Sequence, residues 1–374
     1  MTQASTHQKI LLLSTGGSVG GTERIVINLA RQLQANGFYV RTVFPKTANN
    51  AVFLSWVHDQ GVPVETSSAI CVSAQERSNR DLLILRRFIR ASKPDVVNLH
   101  YGTSYIPLRD VLAVRLAGRY RCVVTVHHPS PIRGWQRQLM TYVAALVADA
   151  VTVVSQATRR SLLEIGVPEG KIHLIHNGMP LPTSMPSRED ARARLGVSPQ
   201  QFVVSCLGRL GPWKGIDELI EATARVSDAD GSMKLLIAGD GSERTALQEL
   251  AAARLGDRAH VLGYIHDTAD LYAASDVFAL PSRSEGFGLV YVEAALHGVP
   301  SVGTNVGGIP DAIADGETGL LVDLHDIDAL AAALQRLRDD PALRLRLGAA
   351  ARARAHAEFT DTRMAERYAR IFRP

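Results

Sequence analysis

Two carboxylates flank a glycine-rich turn in the C-terminal third of the chain, in the run Pro281-Ser-Arg-Ser-Glu-Gly-Phe-Gly-Leu-Val-Tyr-Val-Glu293. Val277 to Leu280 predict a short buried strand before the turn, and the apolar residues from Val290 to Leu296 predict a helix after it. The start of such a helix directs backbone N–H groups at an anion, while Glu285 and Glu293 offer acceptors for hydroxyl groups. A ligand with both phosphate and hydroxyl groups fits this segment, although a helix-terminal charge and a solvated glutamate explain the pair alone about equally well.

Two basic residues follow a second predicted strand and favour the ligand interpretation. The strand from Phe202 to Leu207 ends at Gly208, and Arg209 and Lys214 stand in the loop before the next helix. Open parallel sheets bind ligands beyond the carboxyl ends of their strands. The planar guanidinium and the point charge of lysine together suit a diphosphate.

Three motifs resemble those of one enzyme family. The run Gly20-Gly-Thr-Glu-Arg24, the loop Gly208-Arg-Leu-Gly-Pro-Trp-Lys-Gly215 and the Glu-x7-Glu segment, in this order along the chain, look like the retaining glycosyltransferases of family four, which have the GT-B fold. The resemblance covers nearly the whole chain. It implies a metal-independent hexosyltransferase that moves a sugar from a nucleoside-diphosphate sugar, UDP favoured over GDP, to the hydroxyl of a glycan, lipid-linked or small-molecule acceptor. Polysaccharide, glycolipid or glycoconjugate biosynthesis would be its setting.

The resemblance also implies roles for individual residues. Glu293 would hold the ribose hydroxyls and Glu285 the sugar hydroxyls near the reacting carbon, while backbone groups at Tyr264 would meet the base. The amides of the turn would lie against sugar and phosphate; they belong to Gly286, Phe287, Gly288 and Leu289. In the N-terminal half, Gly20 and Gly21 match the paired glycines that let the backbone approach donor and acceptor, with a plain tight turn as the alternative.

His127 matches the family histidine that contacts the transferred sugar, since it follows the predicted strand Cys122 to Val126; His128 could take this role after a shift of one residue. Arg209 and Lys214 are assigned to the diphosphate, because fixed cations stabilise the charge that builds on the leaving phosphate. That makes a metal or other cofactor dispensable. Two Asp-x-Asp runs, Asp228-Ala-Asp230 and Asp326-Ile-Asp328, are interpreted as turn and cap residues.

The surrounding pattern predicts an α/β fold with two doubly wound parallel-sheet, Rossmann-like domains that face each other across a cleft. The first would be an acceptor-binding domain over 1–182, joined by a final helix over about 357–374; the second would bind the nucleotide sugar over 183–356. Strands are predicted near residues 9–14, 39–44, 96–99, 122–127, 150–154, 172–175, 202–207, 233–238, 260–262, 277–280, 300–303 and 319–322.

Composition sets limits on location and partners. The sequence shows no apolar run long enough to span a bilayer and no signal-peptide core in its first eight residues, so we expect a cytosolic protein. Cys71, Cys122 and Cys206 are scattered and predicted to be buried reduced thiols. The net charge of +4 divides into about +10 for the first 182 residues and about −6 for the rest.

The excess arginines suggest either a solvated face or attraction to an anionic membrane, which would make the protein peripheral at the inner face of the cell membrane. They are Arg77, Arg80, Arg86, Arg87, Arg90, Arg115, Arg119, Arg121, Arg133 and Arg137. Nucleic acid is disfavoured because no aromatic stacking platform is evident beside them.

Two other functions are compatible with the same architecture. One is a nucleotide-sugar epimerase, and the other is a nucleotide-sugar-binding protein without catalysis, against which the retained Arg209, Lys214, Glu285 and Glu293 argue. The sequence leaves open the sugar, the nucleotide, the acceptor, the linkage and the oligomeric state.

Overall fold

The structure is a computed structural model that describes residues 8–16, 20–46, 51–59, 61–68, 70, 79–226 and 232–373. The chain divides into two compact units. The first holds residues 1–180 together with 360–374, and the second holds residues 181–359. These boundaries lie within about three residues of the ones that the sequence predicts.

The first unit is built on one parallel sheet. In the described residues its strands are β1 (Lys9–Ser14), β2 (Tyr39–Pro45), β3 (Val64–Ser67), β4 (Val96–Tyr101), β5 (Arg121–Val126), β6 (Ala150–Val153) and β7 (Ile172–Leu174). They pair in the order β3-β2-β1-β4-β5-β6-β7. The connecting helices are α1 (Gly21–Ala35), α2 (Ala51–Asp59), α3 (Asn79–Ser92), α4 (Leu108–Ala117), α5 (Trp135–Val147) and α6 (Gln156–Leu163).

The central strands of this sheet are covered on both faces. Residues 10–13 of β1 and 122–126 of β5 are all buried, so their sequences are continuous apolar runs rather than alternating ones. The edge strand β3 is different, because its sequence Val-Glu-Thr-Ser is mostly polar and only half-buried. Because this pattern is not apolar, the sequence does not predict β3.

The second unit repeats the arrangement on a smaller sheet. Its described strands are β8 (Phe202–Leu207), β9 (Met233–Ala238), β10 (Ala259–Gly263), β11 (Val277–Leu280), β12 (Ser301–Thr304) and β13 (Gly319–Val322). They are parallel, in the order β10-β9-β8-β11-β12-β13. The helices are α7 (Arg188–Arg194), α8 (Ile216–Val226), α9 (Arg244–Leu255), α10 (Ala269–Ala274), α11 (Leu289–Leu296), α12 (Ile309–Ala312), α13 (Ile327–Asp339) and α14 (Pro341–Glu358). The two doubly wound sheets confirm the predicted fold class.

The last helix, α15 (Asp361–Phe372), packs within the first unit. Gln32 of α1 donates to Asp361 Oδ2 over 3.0 Å, and Arg121 of β5 donates to the Ile371 carbonyl over 2.6 Å. Tyr368 and Phe372 are buried. The C-terminal segment therefore completes the core of the unit that contains β1.

Several of the arginines that give the first unit its charge have structural partners. Arg86 donates to the Leu116 carbonyl over 2.9 Å, and Arg115 donates to the Val147 carbonyl over 2.7 Å and pairs with Asp149. Other arginines are exposed, namely Arg87, Arg90, Arg119, Arg133 and Arg137. Arg77 lies outside the described residues. The excess charge therefore combines arginines that connect structural elements with arginines at the surface.

The two described cysteines are buried. Burial raises the pKa of the thiol to about 12 for both Cys122 and Cys206; Cys71 lies outside the described residues. Among the helices that the structure describes, none is long and apolar enough to cross a membrane.

Candidate active site

Lys214 and Glu285 form the centre of the candidate site in the second unit. Lys214 ends a 3₁₀ turn (Pro212–Lys214) in the loop after β8, and Glu285 lies in the loop after β11. The Lys214 Nζ donates to Glu285 Oε1, and their side chains are only 14% and 15% exposed. The strands β8 and β11 are neighbours at the point where strand order reverses, which is where open sheets bind ligands.

The chemistry of this ion pair would allow an anion to take the place of the carboxylate. A lysine ammonium is a compact charge on a flexible stem, and Glu285 also accepts a weaker hydrogen bond from Ser282 Oγ over 3.4 Å. A phosphate could therefore replace the carboxylate as the partner of Lys214. Glu285 would then be available to accept hydrogen bonds from hydroxyl groups.

The turn at Gly307 and Gly308 supports the backbone of Glu285. The Gly308 N–H donates to the Glu285 carbonyl over 3.0 Å. A Cβ at Gly307 would lie 2.2 Å from the same oxygen, and a Cβ at Gly308 would lie 2.0 Å from the Gly286 oxygen. Gly307 also has a φ of +56°, which disfavours other residues. The sequence analysis does not connect these glycines with the site, because their contact depends on long-range packing.

Arg283 joins the two loops of the site. Its backbone N–H donates to the Trp213 carbonyl over 2.8 Å, and its Nη2 donates to Asp217 and Glu218, each over 2.8 Å. Burial opposes the charge of Arg283, but hydrogen bonds to Glu218 and Asp217 outweigh it and raise its pKa. Arg283 thus fastens the Lys214 loop to the Glu285 loop, and sequence spacing alone gave no signal of that role.

Glu293 lies on α11, facing the interior of the second unit. It is 7% exposed, and its Oε2 accepts a hydrogen bond from Tyr272 Oη over 3.1 Å. The alternative that Glu293 is a solvated surface residue is therefore wrong. A carboxylate held by a tyrosine in this way can accept hydrogen bonds in a fixed direction.

The turn before α11 uses a left-handed glycine. Gly288 has a φ of +88° and precedes Leu289, the first residue of the helix. Phe287 is buried, with its ring 5.4 Å from that of Phe359, so it can offer a ligand its backbone but not its side chain. The N–H groups of a first helical turn lack intrahelical partners, and α11 begins four residues after Glu285.

His127 is buried in the first unit against a second histidine. It follows β5, is 5% exposed, and its Nε2 lies 3.0 Å from His100 Nδ1 at the end of β4. Burial lowers the pKa of His127 to about 4, and burial together with His127 lowers the pKa of His100 well below its usual range. Both rings are therefore neutral at pH 7. His128 is half-buried, with its Nδ1 3.1 Å from Ser130 Oγ.

Of the two glycines in the N-terminal motif, Gly20 precedes α1 and Gly21 is its first residue. Gly20 is extended, with φ −150° and ψ −178°. Glu23 in the first turn is buried, and its carboxylate would collide with a Cβ at Gly16. Glu23 therefore lies against Gly16, and the sequence pattern alone does not indicate this contact.

Comparison with known proteins assigns both parts of the chain to glycosyltransferases. The family described as Glycosyltransferase Family 4 matches residues 19–181, and the one described as Glycosyl transferases group 1 matches residues 187–354. A GDP-mannose-dependent monoacylated alpha-(1-6)-phosphatidylinositol monomannoside mannosyltransferase of Corynebacterium glutamicum is 32% identical over 74% of this chain and 76% of its own length. The chain belongs to the family-4 glycosyltransferases. The predicted resemblance is confirmed.

Two further similarities define how far this family-4 chain resembles known proteins. The D-inositol 3-phosphate glycosyltransferase of Rhodococcus opacus is 39% identical over 57% of this chain and 50% of that relative. The chain thus spans about half the length of that curated relative. The crystal structure of Anabaena HepE in complex with UDP and glucose has a TM-score of 0.82 and 25% identity, covering 98% of this chain and 99% of that one.

The remaining residues that the sequence singles out lie at the surface or at a helix start. Arg209 is exposed in the loop after β8. Tyr264 is exposed directly after β10, with its ring edge-on to His266 at 4.9 Å. Asp326 caps α13 by accepting the Ala329 N–H over 2.8 Å, as predicted; Asp228 and Asp230 lie outside the described residues.

The histidine pair predicts an acid-sensitive first unit. His127 has a pKa of about 4 in the folded protein against an ordinary value of 6.5. The unfolded chain therefore binds a proton at this histidine at a higher pH than the folded chain does. As the pH falls from 6.5 to about 4, the free energy of unfolding decreases. Each such histidine contributes a decrease of up to about 1.4 kcal/mol per pH unit. The variant His100→Gln/His127→Gln should lose less thermal stability than the unaltered protein between pH 7 and pH 5.

The exposed His356 provides the control for this prediction. His356→Gln should leave the pH dependence of the unfolding midpoint unchanged. An equal loss of stability in the double variant and the unaltered protein would show that the buried pair does not set the acid sensitivity.

Proposed function

We propose that this family-4 chain is a retaining, metal-independent hexosyltransferase. It transfers a hexose-type sugar from a nucleoside-diphosphate sugar to an acceptor hydroxyl in polysaccharide, glycolipid or glycoconjugate biosynthesis. The observation that carries the proposal is the ion pair of Lys214 and Glu285 at the switch point of the second sheet. The pair combines a cation for phosphate with an acceptor for sugar hydroxyls.

The proposed reaction breaks the bond between the sugar carbon and the leaving phosphate oxygen. The acceptor oxygen bonds to that carbon on the same face, and its proton passes to the leaving diphosphate. Lys214 moves from Glu285 to the diphosphate and, with Arg209, stabilises the negative charge that develops there. These two cations support a reaction that needs no metal.

The carboxylates of the site orient the donor. Glu285, released from Lys214, accepts hydrogen bonds from the sugar hydroxyls, while the buried Glu293 accepts those of the ribose. The first turn of α11 presents backbone N–H groups to the same ligand. In the first unit, His127 contacts the transferred sugar in this proposal, and Gly20 and Gly21 let the backbone approach the donor phosphate and the acceptor.

UDP is proposed as the nucleotide in preference to GDP. The Anabaena structure was solved with UDP and glucose, whereas the Corynebacterium relative is named as GDP-mannose-dependent. The similarity to the Anabaena protein extends over nearly the whole chain, and that to the Corynebacterium protein over about three quarters. Because the similarity to the UDP-bound Anabaena protein covers more of this chain, it supports UDP.

Incubation with single nucleotide sugars tests the function. We expect release of the free nucleoside diphosphate from one UDP-sugar, by transfer or by slow hydrolysis, at the same rate with and without EDTA. NMR of the product should show the anomeric configuration of the donor. Formation of a new sugar isomer without nucleotide release would instead identify an epimerase, and binding without any turnover would identify a non-catalytic protein.

The proposal includes a cytosolic location at the inner face of the cell membrane. Its support is the exposed arginines of the first unit, which suit anionic lipid, and the two buried free thiols Cys122 and Cys206, which suit a reducing compartment. Sedimentation with anionic vesicles at low salt and release at high salt is the expected behaviour.

A further inference from the structure

The helix α5 presents large apolar side chains to solvent. Trp135 is 70% exposed and Leu139 is 52% exposed, and Leu146 is also exposed. With the half-buried Val143, they follow one another at spacings of four, four and three residues. Such spacings place side chains on one face of a helix, here over a length of about 16 Å. This outward face of α5 is called the α5 stripe, defined by Trp135, Leu139, Val143 and Leu146.

The inward face of the same helix is lined by small residues. Thr141, Ala144 and Ala145 are buried, as is Ala148 directly after the helix. An ordinary surface helix directs its large apolar residues at the core and its polar residues at solvent. In α5 Tyr142 and Val147 pack against the core, but Trp135, Leu139 and Leu146 point outwards, so core packing does not explain the α5 stripe.

The charge around the stripe has one sign. Between Asp110 and Asp149 the sequence contains five arginines and no acidic residue. Arg133 and Arg137 are exposed, two residues before and two residues after Trp135, and the Arg137 guanidinium lies 5.8 Å from the centre of the Tyr105 ring. The apolar α5 stripe with its exposed tryptophan therefore begins beside arginines at the start of α5.

Trp135 is a single aromatic residue between two of the arginines in the sequence. A nucleic acid is nevertheless a poor match, because Leu139, Val143 and Leu146 form an aliphatic surface rather than a series of rings on which bases could stack. A helix of a second copy would bring the same arginines to the contact and would place like charges together.

We infer that the α5 stripe is an interfacial membrane-binding surface for anionic lipid. Helices that lie in the membrane interface bury an apolar face with Trp and Leu among the acyl chains and keep Arg or Lys beside the headgroups. Tryptophan favours this position because one part of its ring system is apolar and its N–H is polar. The inference specifies which surface binds lipid, and it holds whether or not the chain transfers sugar.

Trp135 can report its own insertion. The chain has three tryptophans, so the variant Trp56→Phe/Trp213→Phe leaves Trp135 as the sole fluorophore. On addition of phosphatidylcholine vesicles that contain phosphatidylglycerol, we expect a blue shift of its emission and quenching by lipids brominated on the acyl chains. Pure phosphatidylcholine vesicles should give a much smaller response.

Matched variants distinguish insertion of the α5 stripe from a general electrostatic attraction to vesicles. In the otherwise unaltered chain, Leu139→Gln should weaken vesicle binding by about tenfold or more, because a leucine side chain no longer leaves water. Leu345→Gln, at a position on α14 that is 74% exposed, should leave binding unchanged. Arg137→Gln should weaken binding about fivefold, and Arg90→Gln on α3 should have little effect.

Each contrary result would overturn the inference. If Arg137→Gln and Arg90→Gln weaken vesicle binding equally and Leu139→Gln does not weaken it, the exposed arginines of the first unit attract the vesicle without insertion of α5. Trp135 emission that responds to single-stranded nucleic acid and not to vesicles would assign the surface to nucleic acid. A dimer in sedimentation that Leu139→Gln dissociates, without vesicle binding, would assign it to a second copy. Thermal unfolding midpoints equal to that of the unaltered protein establish that the variants are folded.

Discussion

Replacing Lys214 by glutamine should lower kcat/KM for sugar transfer by about a hundred- to a thousandfold. The ammonium of Lys214 is held at the end of β8 by Glu285, and in the proposed reaction it stabilises the charge that grows on the leaving diphosphate. Glutamine keeps hydrogen-bonding capacity but has no charge. Because the interaction strengthens in the transition state, the loss should appear mainly in kcat.

A cation elsewhere in the same unit provides the control. Arg225 on α8 is exposed and pairs with Asp328 at the surface. Arg225→Gln removes one positive charge from the second unit, as Lys214→Gln does, and should leave kcat/KM within about twofold of the unaltered value. Comparable losses in both variants would indicate a general electrostatic effect and not a local role of Lys214.

The effect on transfer can be separated from the effect on stability. Lys214→Gln leaves the largely buried carboxylate of Glu285 without its cation, which should lower the unfolding midpoint by a few degrees. The double variant Lys214→Gln/Glu285→Gln removes both charges and should recover much of that midpoint. Transfer should not recover, since the diphosphate still lacks its cation; recovery of activity in the double variant would contradict the proposed role.

Much of this fold follows from local sequence. Parallel strands covered on both faces are continuous apolar runs, so β8, β9, β11 and β13 are predicted with the bounds that the structure has. The strand β3 does not follow, because an edge strand with one glutamate and two hydroxyl residues lacks that pattern. An apolar run in the sequence indicates a buried strand, so this pattern does not predict a strand that is only partly buried.

The candidate site follows from sequence only in part. Motifs at the ends of β8 and β11 mark Lys214 and Glu285, but the strand order that makes β8 and β11 neighbours is a long-range property. The same holds for His100, whose position at the end of β4 becomes meaningful only when β4 and β5 are known to pair. A histidine at the end of a predicted buried strand is the signal that could have drawn attention to it.

The orientation of α5 shows a different kind of limit. Its sequence has an apolar side at helical spacing, which ordinarily predicts the face that packs on the core. Only the structure shows that the small residues Ala144 and Ala145 take the inner side and that Trp135 and Leu139 point outwards. Periodicity predicts that a helix has two faces, and tertiary packing decides which of them is buried.

Replacing Gly307 by alanine should lower transfer about a hundredfold, although Gly307 would touch no substrate. Its added Cβ would lie 2.2 Å from the carbonyl oxygen of Glu285, so either the turn or the Glu285 loop must shift. A displacement of about 1 Å at a positioned group can reduce a rate by this much. Steady-state kinetics should show a lower kcat, and nucleotide-sugar binding should weaken as well.

Gly316 offers a matched control for the backbone strain. It has a φ of +71°, close to the +56° of Gly307, but a Cβ there would meet nothing within 4 Å. Both alanine variants incur a left-handed conformation that costs about 1–2 kcal/mol, and only Gly307→Ala presses on Glu285. Gly316→Ala should therefore lose stability while its transfer rate stays within a few-fold of the unaltered protein. If both variants lose transfer to the same extent, backbone strain alone accounts for the effect, and the support that the Gly307 turn gives to Glu285 is not needed for the reaction.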